Sequence, residues 1–283
     1  MSLHTGLDQV DAGDLPSFSV GLILWRSFWI TVASFFRFVG LALVIAIPAG
    51  VAIWLLENFL PVKPNLEISN YRIVTPTAPT LAMLLIGLLA VLAVLMVQAA
   101  VCYRAFRALG GTSVDFGDCL ARALGTAILL VEFAIVASIV LGAFAVLAVW
   151  ETAWFVDQGN FNIAGAFGAL IGGVVIYIII GSWVVFPAIV VERIGPIAAI
   201  FRSWQLTRGR RWQILVLLVL FAAIEFAISH LFTLKIELGL IGPYAAYVFN
   251  LPLSFLGTVL LTVSYYHLVG EKEGTSVLRH IFA

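Results

Sequence analysis

The sequence predicts an all-α fold: a polytopic integral membrane helical bundle of six transmembrane helices, with amphipathic interfacial helices on the cytoplasmic side. Three observations carry that prediction. Hydrophobic residues fill 63% of the 283 positions and charged ones only 11%, where a soluble domain carries about 25% charged residues. A mean hydropathy of +1.12 leaves too little polar surface to coat a particle in water, so lipid is the expected solvent. Apolar runs long enough to cross a bilayer recur six times, at about 38–56, 81–101, 124–150, 166–191, 214–232 and 244–268.

The tail 1–16 carries Asp8, Asp11 and Asp14 and no Lys or Arg, the reverse of a basic signal-peptide start, so no cleaved presequence is expected. Residues 17–36 are apolar but striped. Ser19, Ser27, Thr31 and Ser34 recur at helical spacing beside Arg26 and Arg37, with Trp25 and Trp29 as interfacial anchors. This stretch is expected to lie in the headgroup plane; a single long, tilted first span is the alternative. Residues 57–80 hold Pro61, Pro64, Pro76 and Pro79 around the β-prone piece 71–74, the composition of an ordered external loop. The second run has Gln98 as its only strongly polar side chain. It stops at Tyr103, Arg104 and Arg107 before the turn signal Gly110-Gly111.

Residues 113–124 read as a short amphipathic helix capped by Ser113 or Asp115, with Asp118 in its first turn. It leads straight into the third run. Residues 151–165, with Glu151, Asp157, Asn160 and Asn162, read as a loop. Gly165, Gly168, Gly172 and Gly173 then make small-xxx-small spacings that permit close helix contact, intramolecular packing being the favoured use. Residues 187–212 form a charged hinge, followed by the fifth run, a short loop 233–243 and the sixth run, which Asn250 and Pro252 are expected to kink or unwind. A tail, 269–283, closes the single membrane domain 1–283. Arg26, Arg37, Arg104, Arg107, Arg122, Arg193, Arg202, Arg208, Arg210, Arg211, Lys272 and Arg279 fall on one side and Lys63, Arg72 and Lys235 on the other. The positive-inside rule then predicts cytoplasmic N- and C-termini.

Three elements on the basic side share a pattern. Gly21 precedes Arg26-Ser27-Phe28, Gly117 precedes Arg122-Ala123-Leu124, and Gly195 precedes Arg202-Ser203-Trp204 at two residues' greater distance. Three helical hairpins, each begun by an interfacial helix, would produce it.

The hinge carries Pro187, Glu192, Gly195-Pro196, Ala199, Arg202-Ser203-Trp204, Leu206-Thr207 and Gly209. With these residues the chain resembles bacterial six-helix membrane proteins related to the membrane domain of glycerophosphoryl diester phosphodiesterases. The likeness extends to Val20-Gly21 and Arg26-Ser27-Phe28, and to Tyr265-Tyr266 and Lys272-Glu273-Gly274. It departs at His267, Val269 and Glu271, so the exit of the last helix is assigned no specific role. The resemblance implies a stand-alone membrane domain of the bacterial cytoplasmic (inner) membrane without the phosphodiesterase's soluble catalytic barrel. A lipid-linked role is its hint, and fold-level likeness does not fix function.

Three groups of residues are singled out as candidate sites. Arg202, Arg208, Arg210, Arg211 and Trp212 could hold an anionic phospholipid headgroup, since near-surface basic residues attract anionic lipid and arginine pairs bidentately with phosphate. Glu132, Glu225 and His230 are intramembrane polar groups; each buried acid costs about 2.5–3.5 kcal/mol on insertion scales, so a partner is expected. Arg37 or Gln98 is within reach of Glu132. Pro187, Glu192, Gly195 and Pro196 form a structural hinge, with Glu192 paired to Arg202. Cys102 and Cys119 read as packed thiols rather than a disulfide. No His/Cys pair has metal-ligand spacing, so neither metal nor cofactor is expected, and no nucleic-acid partner. No nucleophile–base pair accompanies the carboxylates. The favoured reading is therefore a non-enzymatic, lipid-interacting or scaffold component, with membrane lipids and a membrane-protein partner or second copy as partners. A transporter or permease subunit using the carboxylates is the alternative, ahead of an intramembrane enzyme.

Overall fold

The computed structural model describes residues 18–59, 81–237 and 244–274. Helices make up nearly all of them: α1 (Val20–Phe59), α2 (Leu81–Leu109), α3 (Phe116–Asp157), α4 (Phe161–Gly181), α5 (Val185–Glu192), α6 (Pro196–Thr207), α7 (Arg211–Glu237) and α8 (Tyr244–Glu273). Six segments are long and apolar enough to cross a membrane, with α4 and α5 counted as one. Of the loop expected at 57–80, residues 57–59 are the end of α1, and 60–80 lie outside the described residues, as do the N-terminal tail and residues 275–283.

Several boundaries differ from expectation for one reason: polarity alone does not stop a helix. The interfacial stretch 17–36 and the first span are one 40-residue helix, α1, as in the long-span alternative, because neither Gly nor Pro interrupts 22–39. The short helix expected at 113–124 is likewise the first part of α3, with Asp115 at the N-cap position but making no side-chain cap bond. Helix α3 also runs through Glu151 to Asp157, leaving only Gln158, Gly159 and Asn160 as a turn, with Gly159 at φ 71°. Helix α7 continues to Glu237 and α8 to Glu273, where loop and tail were expected. Helix α8 also passes Pro252 without unwinding.

The core surrounds α8, which packs against α1, α2, α5, α6 and α7. Phe38 meets Phe255, and Phe106 meets both Tyr265 and Tyr266. The thiols of Cys102 and Cys119 are free and buried in this core. Contacts such as Arg26 with His267 and Arg104 with the Val114 carbonyl bring the start of α1, the end of α2, the start of α3 and the end of α8 together at the hinge. Away from that end, α3 and α4 stand out as a hairpin, and no α3 residue beyond Leu130 is buried.

Candidate functional site

The site begins with a broken helix. Pro187 has no amide hydrogen and its ring crowds the carbonyl four residues back, so a straight helix through 183–187 is disfavoured. The break falls at Ser182–Val184, a division of the fourth span that the sequence reading lacked. Pro187 then sits in the first turn of α5, where a missing N–H costs little. A break inside a bundle leaves backbone groups to satisfy, and α6 supplies the answer. The Ser203 hydroxyl donates to the Gly181 carbonyl at 2.7 Å and accepts from the Val184 N–H at 3.2 Å.

Gly181 is required by that docking. A Cβ built on it would stand 2.7 Å from Cε2 of Trp204. Gly181→Ala is therefore expected to destabilise the protein by about 1–2 kcal/mol through overpacking. Trp204→Ala in the same chain should make the substitution close to neutral, which unfolding in mixed micelles would measure. The four glycines of α4 behave differently: a Cβ at Gly165, Gly168, Gly172 or Gly173 meets nothing within 4 Å. Their small-xxx-small spacing serves no close helix contact within the described residues.

Between α5 and α6 the chain reverses at Arg193, which takes a left-handed conformation at φ 56° as the C-cap of α5. Gly195 is the N-cap of α6 and Pro196 its first residue, the position where a proline ring is pre-set for a helix. Pro187 and Glu192 thus lie in α5, and Gly195 and Pro196 begin α6, on either side of this reversal. Helix α6 buries Ala199, Ser203, Leu206 and Thr207 and exposes Ile197 and Phe201.

The charges of this region interlock. Arg202 donates through Nε to Glu192 Oε1 at 3.0 Å, as expected from the sequence, and through its two terminal nitrogens to both oxygens of Glu273. Tyr265, buried in α8, donates its hydroxyl to the same Glu192 oxygen. Hydrogen bonding by Glu273, chiefly, and the charge of Glu192 hold Arg202 above its ordinary range against the opposing effect of burial, so it remains a cation. Arg210 pairs with Glu271. Lys272 donates to the carbonyls of Gln205 and Arg208, the latter at 2.8 Å, and so caps the electronegative end of α6. The last turn of α8 thus clamps α6 and the start of α7, a role withheld from this exit at the sequence level. Glu271 departs from the expected pattern, and it supplies the partner of Arg210.

This arrangement divides the five proposed headgroup residues. Arg202 and Arg210 are neutralised by carboxylates of the chain itself. Arg211 donates to the Tyr177 hydroxyl and lies over the Tyr177 and Trp204 rings, at 4.8 and 5.0 Å from their centroids. Arg208 is exposed, as is Trp212 at 73%. Arg208 and Arg211 border a cleft of about 410 Å³ with Phe201, Trp204 and Gln205. The residues expected as intramembrane polar groups are elsewhere: Glu132 is exposed on α3, Glu225 and His230 on α7. His230 stacks on Phe226. Among the described residues, neither carboxylate forms an ion pair, and Glu132 makes no bond to Arg37 or Gln98. No group of three or more His, Cys, Asp or Glu among the described residues could hold a metal.

A family model described as a domain of unknown function (DUF7847) matches residues 111–270, more than half of the chain. The chain belongs to the DUF7847 family. The DUF7847 match runs from the turn before α3 to the last turn of α8 and takes in the broken helix, α6 and Arg208 to Trp212. The clamp residues Glu271, Lys272 and Glu273 lie just beyond the DUF7847 match, and Arg26 lies before it. Comparison with curated proteins and with solved structures gave no match.

Proposed function

We propose that the chain is a non-enzymatic, multi-pass protein of the bacterial cytoplasmic membrane that binds anionic phospholipid at its hinge. In this reading both termini are cytoplasmic, and α6 is an amphipathic helix at the inner membrane surface. One observation carries the reading: Arg208 and Arg211 border an open cleft while the neighbouring Arg202 and Arg210 are internally paired. Exposed Ile197, Phe201 and Trp212 beside the cleft suit the boundary between headgroups and acyl chains. Arg211 is oriented by Tyr177 and Trp204, so its guanidinium is set in place before a phosphate arrives. The likeness to membrane domains of glycerophosphoryl diester phosphodiesterases points the same way. The transporter alternative draws no support from Glu132 and Glu225, which lie on outer faces of different helices.

Each near-surface basic residue contributes about 1 kcal/mol of attraction to anionic lipid. The double variant Arg208→Gln/Arg211→Gln should therefore retain anionic phospholipid about thirtyfold less well through purification in mild detergent. Arg193→Gln, a change at an exposed arginine outside the cleft, is the control. Lipid retention unchanged in the double variant, or lost equally in the control, would refute the headgroup site.

A further inference from the structure

Lys272, in the last turn of α8, donates to the carbonyls of Gln205 and Arg208, two of the residues that border the cleft. Neutral acceptors hold the ammonium in place there without cancelling its charge. The charges of Arg208, Arg210 and Arg211 act on Lys272, as does the opposite charge of Glu271. Arg210 engages Glu271. Among the described residues, Arg208, Arg211 and Lys272 therefore stand together with no carboxylate partner. Arg211 gives one terminal nitrogen to Tyr177 and keeps the other. The carbonyls that end α6 carry partial negative charge, which opposes an anion at this place. Lys272 occupies two of them, so it removes a repulsion as well as adding a cation.

The neighbouring triad sets the size of the excess. Glu192, Arg202 and Glu273 hold one more carboxylate than cation. That net negative charge offsets one of the three spare cations and leaves two. Arg193 does not add to them. It caps α5 at the far end of the 12-residue α6, about 18 Å away at 1.5 Å per residue, beyond a Debye length of about 8–10 Å. A headgroup with one phosphodiester thus leaves a cation uncompensated at the cleft, and a headgroup with two balances it. The cleft volume of about 410 Å³ is more than ten times the roughly 30 Å³ of one water, which leaves room for the larger headgroup. From this juxtaposition we propose that the lipid held at the hinge carries two phosphodiesters, and that Lys272 is the third cation of its site. Basic pockets at the cytoplasmic ends of membrane helices suit such headgroups. The proposal rests on the reading of the cleft as an anionic-lipid site and narrows the ligand from any anionic headgroup to a doubly charged one.

The test titrates the full-length protein, delipidated in mild detergent, with cardiolipin, which has two phosphodiesters, and with phosphatidylglycerol, which has one. Phosphatidylcholine is the zwitterionic baseline, and native mass spectrometry counts the bound lipid. Cardiolipin should bind at least about fivefold more tightly than phosphatidylglycerol, the effect of one further near-surface charge contact. Cardiolipin also has more acyl chain, so Lys272→Gln decides the cause. That variant keeps donors for the two carbonyls but loses the charge; the ratio should fall to about twofold or less, and Lys272→Arg should restore it. A ratio near one in the native chain, or a ratio unmoved by Lys272→Gln, overturns the two-phosphate site. Equal binding of both anionic lipids above phosphatidylcholine overturns that site alone; binding of neither above phosphatidylcholine overturns the anionic-lipid reading with it. Should Lys272→Gln fail to fold, the native chain is titrated again at about 0.5 M salt, where the Debye length falls to roughly 4 Å. The ratio should then narrow to about twofold, and a ratio held at fivefold overturns the charge-based preference. Inorganic pyrophosphate that displaces cardiolipin at equal concentration assigns the cleft to a soluble diphosphate and overturns the lipid ligand.

Discussion

Arg202→Ala is expected to be the most destabilising single substitution in the hinge, at about 2–4 kcal/mol. The guanidinium is 21% exposed, and its partners Glu192 and Glu273 are 17% and 26% exposed. Removing it leaves two carboxylates and the Tyr265 hydroxyl crowded together without a counter-charge. Breaking one partner out of a fully buried pair costs about 3–5 kcal/mol, and partial exposure here reduces that range. Arg210→Ala is the internal comparison. Its pairing with Glu271 lies nearer the rim, at 29% and 31% exposure, and should contribute less than about 1 kcal/mol. Unfolding in mixed micelles can be followed by thiol labelling, because Cys102 and Cys119 are both buried. Arg202→Lys should recover only part of the loss, since an ammonium cannot bridge both carboxylates as the planar fork does. Equal losses in the Arg202 and Arg210 variants would contradict the central place given to the Glu192–Arg202–Glu273 triad.

Ser203→Ala should cost about 2 kcal/mol. The hydroxyl is fully buried and serves two backbone groups freed by the helix break. An orphaned buried N–H costs about 1–3 kcal/mol, and Val184 would become one. The Gly181 carbonyl retains Thr207, at 3.5 Å, as a poor substitute. Ser27 provides the contrast, because it holds the corresponding place in the first copy of the repeated pattern and is equally buried. Its hydroxyl donates only to the Ile23 carbonyl one turn back in its own helix, which the helix already satisfies. Ser27→Ala should therefore change stability by less than about 0.5 kcal/mol. A similar small change for Ser203→Ala would show that the break is not held by this serine.

Much of the architecture is legible from hydropathy, because a helix long enough to cross a membrane needs a long run of predominantly apolar residues. The ends of helices are less legible. Residues 151–157 look like a loop by polarity, yet they contain no residue that stops a helix before Gly159. Pro187 is visible, but its effect falls at Ser182–Val184, upstream of the ring itself. Within the site, Glu192 and Arg202 can be paired from sequence because they flank one short turn. Glu271 and Glu273 cannot, since pairing across more than sixty residues leaves no local pattern. The repeat is legible in part. Its small residue, Ser27, Ala123 or Ser203, is buried in every copy, as is the residue one turn earlier, Ile23, Cys119 or Ala199. Only the third copy is a separate short helix.

The clamp has a consequence for how the chain is made. Arg202 and Glu273 stand 71 positions apart, so the ribosome delivers the hinge arginines long before Glu271 and Glu273, with only Glu192 of their acidic partners already made. In a chain inserted as proposed, the nascent hinge presents its cations, Arg202 apart, without their acids while α7 and α8 are still being threaded. Those cations can hold the hinge on the cytoplasmic side at the stage when orientation is decided. Arrival of Glu271 and Glu273 then quenches part of that charge, converting a topogenic signal into an internal lock and leaving Arg193, Arg208 and Arg211 as the cations no carboxylate among the described residues pairs.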